Sequence, residues 1–63
     1  MSLTQEQVTE TEEVVSFHKG GVSWHDGPGW YYVLIDYPDE GSFGSFETLE
    51  EAQVRAYENE VVG

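Results

Sequence analysis

The run "GWYYVLIDY", Gly29–Tyr37, decides the fold. It is dense in aromatic and branched aliphatic side chains, which suit a pleated surface. Turn-forming clusters bound it, "HDGPG" (His25–Gly29) before and "PDEG" (Pro38–Gly41) after. As a strand it presents Trp30, Tyr32 and Leu34 on one face and Tyr31, Val33, Ile35 and Tyr37 on the other. Both faces carry side chains that avoid water, so each is expected to meet a partner, one inside the chain and one beyond it.

Upstream, "GVSW" (Gly21–Trp24) is short and extended, and the "HDGPG" turn joins it to the central run as a hairpin. Further back, "VVSFHK" (Val14–Lys19) has strand chemistry and ends at the breaker pair Gly20 and Gly21. It is either an extra N-terminal strand or a cover for the sheet. Downstream, the Pro38–Gly41 turn leads to a third arm, "SFGSF" (Ser42–Phe46).

A helix follows. Thr48 and Glu51 have the spacing of a capping box, and Glu50 and Glu51 complement the positive end of the helix dipole. Leu49, Ala52, Gln53 and Ala56 form a narrow stripe with small residues at its centre, suited to close packing on a sheet. Alone in water so short a helix would barely form, so packing must hold it. The expectation is an α+β domain over residues 13–63, a three-stranded antiparallel sheet packed on one C-terminal helix. Residues 1–12 carry Glu6, Glu10 and Glu12 with few apolar side chains, and read as a flexible acidic tail.

Composition narrows the function. At 63 residues the chain is one domain at most, burying only about 60% of its unfolded surface. It has no cysteine, so disulfides and thiolate metal sites are excluded. The start "MSLTQEQVTETEE" lacks the basic and then apolar pattern of a signal peptide, and no apolar run reaches the ~18 residues of a membrane span; the expected location is cytoplasmic.

Thirteen acidic residues against two basic ones give a net charge of -11. Phosphate binding draws on Lys and Arg, and only Lys19 and Arg55 are present, so direct nucleic-acid binding is disfavoured. The acidity suits either a solvated surface tuned to high salt or a display of carboxylates to a basic partner. No phosphate loop, nucleophile elbow or zinc-protease signature occurs, and no enzyme activity is expected. His18 and His25 with Asp26 lack recognisable metal-ligand spacing, so neither a metal nor a cofactor is expected.

The order "GVSW", a tryptophan after a glycine turn, a strand, then "GSFETLEEAQVRAY" resembles the Apetala-two type domain of plant ethylene-response factors and of phage homing endonucleases and integrases. Gly21, Val22, Trp24 and Trp30 match the family's opening and second strand. Phe43, Gly44, Phe46, Thr48, Glu50, Glu51, Ala52, Ala56 and Tyr57 match the rest, over about two-thirds of the chain. The resemblance implies a three-stranded antiparallel sheet on one helix and a sheet face that reads DNA through cations. At the matching positions this chain has Ser23, Tyr31, Val33 and Ile35, with Glu40 and Ser42 near the third strand, and none can replace an Arg fork.

The expected function is therefore a non-enzymatic protein–protein interaction module on an Apetala-two-like scaffold, of phage or mobile-element type. It would inhibit a nucleic-acid-binding partner in the manner of a DNA mimic. Tyr31, Val33, Ile35 and Tyr37 would make the buried contact, while Asp36, Asp39, Glu40 and Glu47 would attract the basic partner. Two alternatives stand beside it, a nucleic-acid-binding domain from a halophile and a structural homodimer.

Overall fold

The structure is a computed structural model that describes residues 2–20 and 29–63. Its elements are α1 (Gln5–Glu12), β1 (Val15–Lys19), β2 (Trp30–Leu34), a 3-10 turn (Pro38–Glu40), β3 (Ser42–Phe46) and α2 (Leu49–Ala56), which runs on as a π-helical segment (Tyr57–Val62). The three strands form one antiparallel sheet in the order β1-β2-β3, and the C-terminal helix packs against it. This is the α+β architecture expected from the sequence.

Alternation in β2 builds the core. Tyr32 points toward the helix and pairs across the sheet with Phe17 of β1 and Phe43 of β3. Its ring stacks on Phe43 at 5.1 Å and on Phe46 at 6.1 Å, and meets Phe17 edge-on at 6.4 Å. Ala52 and Ala56 are fully buried, so the expected small-residue stripe is the helix face that touches the core.

Cap chemistry begins α2 as the sequence indicated, with one difference. The Thr48 hydroxyl accepts from the Glu51 N–H at 3.1 Å, but the Glu51 carboxylate accepts from the N–H of Glu47, one residue before the cap, at 3.2 Å. At the far end the Gly63 N–H donates to the Glu58 carbonyl five residues back, the spacing of a π-helix.

Two features depart from the sequence reading. The strand that pairs with β2 is Val15–Lys19, so "VVSFHK" supplies a sheet strand and not a cover. The Gly20 N–H donates to the Gly29 carbonyl at 2.7 Å, closing the connection between the two strands. The arm expected at Gly21–Trp24 and most of its turn lie outside the described residues.

The expected N-terminal tail instead holds α1. Thr4 and Gln7 make a complete capping box: the Gln7 N–H donates to the Thr4 hydroxyl at 3.2 Å, and the Thr4 N–H donates to the Gln7 side-chain carbonyl at 2.8 Å. The Gln7 amide donates to the Tyr57 hydroxyl at 3.3 Å, and the Ser2 hydroxyl donates to Glu50. The helix thus rests on the C-terminal helical run and the start of β1, with Thr11 fully buried. Docking on another element, rather than a greasy face of its own, is what orders it.

No helix among the described residues is long and apolar enough to cross a membrane.

Candidate functional site

The residues expected to form one apolar strip do not lie on one surface. Tyr31 has no exposed area, and Val33 is half-buried. Tyr31 lies opposite His18 and Gly44 in the ladder and stacks on the His18 imidazole with ring centroids 5.5 Å apart. Gly44 makes room for it. With φ at +147°, a Cβ at Gly44 would stand 3.0 Å from the Tyr31 Cβ and 2.9 Å from the Trp30 carbonyl. The sheet is irregular here: Trp30 pairs with Phe46 and Tyr31 with Gly44, leaving Ser45 as the extra residue of a bulge. Burial raises the Tyr31 phenol above its ordinary pKa of 10.0.

Beyond Leu34 the strand stops, and with it the alternation that would keep Ile35 and Tyr37 beside Val33. The Ile35 N–H still bonds the Val14 carbonyl at 3.0 Å. The chain then turns, with the Tyr37 N–H on the Leu34 carbonyl at 3.3 Å and the Glu40 N–H on the Tyr37 carbonyl at 3.0 Å. Ile35 is 49% and Tyr37 67% exposed. Each borders a cleft shared with residues on the helix side of the sheet. Ile35 lines one with Val15, Phe17 and Leu49, and Tyr37 lines another with Val14, Leu34 and Glu60.

The carboxylates expected to draw a partner are all exposed. Asp36, Asp39 and Glu40 stand in the same turn as Ile35 and Tyr37. Glu47 sits apart, between β3 and α2. The structure therefore brings together Ile35, Asp36, Tyr37, Asp39 and Glu40 as one exposed turn, and it separates Tyr31 from them by burial.

Two side chains outside the expected set matter to this end of the molecule. The Tyr32 hydroxyl donates to the Glu60 carboxylate at 3.3 Å. Glu60 in turn lines the cleft beside Tyr37 and Asp36, so the helix tail adds a carboxylate to the turn. No sequence spacing could show this, because residues 36 and 60 meet only through the packing of helix on sheet.

His18 lies within 2.8 Å of the Ser16 hydroxyl in the same strand, while His25 and Asp26 lie outside the described residues. Among the described residues no group of three His, Cys, Asp or Glu side chains is placed to hold a metal ion. Comparison with protein-family models, with curated proteins and with solved structures finds no match, so the site is read from its own chemistry.

Proposed function

We propose that the chain is a non-enzymatic interaction module that docks on a basic, nucleic-acid-binding protein through the turn Ile35–Glu40. One observation carries the reading: two of the three large hydrophobic side chains that stand exposed among the described residues, Ile35 and Tyr37, are interleaved with the exposed carboxylates of Asp36, Asp39 and Glu40. Aromatic and aliphatic anchors inside a charged rim are the usual anatomy of an interface. The net charge of -11 speeds encounter with a cationic surface and selects against polyanions. On the resemblance to the Apetala-two type domain, the scaffold is one whose DNA-reading cations have been lost, and a DNA-mimicking inhibitor of phage or mobile-element type is the role we assign.

The test must leave Tyr31 alone, since a buried tyrosine replaced by Asp would unfold the sheet. Immobilised chain and an Ile35→Asp, Tyr37→Asp variant are offered the same lysate, and duplex DNA is added as competitor. The expected outcome is capture of basic nucleic-acid-binding proteins, released by duplex and reduced at least about tenfold in the variant. Equal capture by the variant, or tight binding of duplex by the chain itself at high salt, would overturn the proposal.

A further inference from the structure

We infer that the outer edge of β1 accepts an extended, cationic segment of a partner as a fourth strand. The inference rests on the reading above that the partner is basic, and it names a contact surface that continues from Ile35 of that turn.

The ladder fixes which backbone groups are available. Bonds from Ile35 N–H to Val14 C=O and from Gly20 N–H to Gly29 C=O bracket the β1–β2 register. In an antiparallel pair the bonded positions alternate, so Ser16 and His18 direct their backbone groups at β2, and Val15, Phe17 and Lys19 direct theirs at the outer edge, where Val15 is buried while Phe17 and Lys19 keep exposed area. Among the described residues no strand pairs with that edge.

A groove of about 360 Å³ runs beside it. Val15, Ser16 and Phe17 all line it, although consecutive side chains point to opposite faces; the shared wall is therefore the strand edge itself. Trp30 at the start of β2 and Ile35 just past its end also reach it, a span of roughly 16 Å at ~3.3 Å per residue. That length suits about five residues of extended peptide. Leu49 and Gln53 of α2 form the opposite wall.

Charge selects the occupant. Glu12 lines the groove, exposed Glu13 follows it, and Asp36 adjoins Ile35. Lys19 is the lone cation of β1, at its end. A second copy would bring another -11 to the same edge, whereas a segment alternating Lys or Arg with aliphatic residues satisfies the backbone, the apolar wall and the acidic rim together.

The experiment titrates the full chain with a capped peptide of alternating Lys and Val, about eight residues long so as to overspan the groove. A second peptide is N-methylated at its two central residues, which removes one N–H donor from each of its edges. Binding is read calorimetrically and by backbone amide shifts.

The expected result is binding that shifts and protects the amides of Phe17 and Lys19 but not those of Ser16 and His18. Affinity should fall at least about tenfold on N-methylation, and also in a Glu12→Lys variant or at raised salt. If both peptides bind alike, or the shifted amides lie elsewhere, the edge site is overturned while the acidic-surface reading stands. If neither binds, the edge site is overturned and the lysate competition with duplex judges the broader reading on its own. Concentration-dependent dimerisation that protects the same two amides would assign the edge to a second copy, and an oligonucleotide that shifts them would assign it to nucleic acid. Either result overturns the inference.

Discussion

Tyr31 and Tyr32 are neighbours in β2, face opposite sides of the sheet, and keep 0% and 1% of their surface exposed. Tyr32 is the centre of the helix-side core, ringed by Phe17, Phe43 and Phe46, while Tyr31 lies between His18 and Gly44 on the other face. The central strand thus anchors both faces of a small sheet. Its burial on both sides leaves Ile35 and Tyr37, which follow it, as the exposed apolar side chains of this run.

Both phenols are held neutral. Burial raises Tyr31 and Tyr32 above 10.0; for Tyr32 a hydrogen bond with Asn59 opposes the shift, and the charge of Glu60 and its hydrogen bond reinforce it. A folded pKa above the unfolded one means that the native state holds more protons at alkaline pH, so the contribution is fully present below pH about 10 and is lost as pH rises through the folded values. Thermal or urea unfolding followed across that range should show stability falling from pH about 10 upward. Tyr32→Phe should flatten the fall, and an unchanged alkaline slope in that variant would exclude Tyr32 as a source.

Gly44 and Gly41 separate strain from crowding. Both have positive φ, +147° and +86°, but a Cβ at Gly41 meets nothing within 4 Å, whereas one at Gly44 meets Trp30 and Tyr31. Gly41→Ala should cost about 1 to 2 kcal/mol from backbone strain alone. Gly44→Ala adds a packing clash and should cost about 2 to 5 kcal/mol. Urea midpoints of the two variants, compared at equal m-value, check the order.

Ala56 has no exposed area and belongs to the cluster with Val15 and Tyr32. Ala56→Leu forces added volume between helix and sheet and should destabilise by about 1 to 3 kcal/mol. Val54→Leu, at a half-buried position two residues earlier and on the opposite side of the helix, is the control and should change little. Equal effects would mean that the helix does not seat on Ala56.

Thr4→Ala removes the hydroxyl that accepts the Gln7 N–H and should cost about 1 kcal/mol. Gln7→Ala should cost more, because Gln7 also caps the Thr4 N–H and bonds Tyr57. Amide exchange in α1 should accelerate in both variants, while β2 exchange follows the global stability. Uniform acceleration with no preference for α1 would count against a separately docked helix.

Local chemistry alone settled much of the architecture. The short β-rich runs marked the central strand, read on to Tyr37 where the structure ends it at Leu34, and the strand Ser42–Phe46; Thr48 marked the start of α2, and Ala52 and Ala56 showed its buried side, because caps, turns and alternation act over three or four residues. "TQEQ", Thr4–Gln7, has the spacing of a capping box for α1, a local signal that the reading of residues 1–12 as an acidic tail did not use. Tertiary structure decided the rest. Period-two alternation holds only while the strand continues, and nothing local in "VLIDY" marks Leu34 as its end; the exposure of Ile35 and Tyr37 follows from where the sheet stops, and the burial of Tyr31 from its place between His18 and Gly44. The partner of β2, the docking of α1 on the C-terminal helix and the meeting of Glu60 with the Asp36 turn join residues far apart in the chain. Such contacts depend on how whole faces pack, which no short window of sequence records.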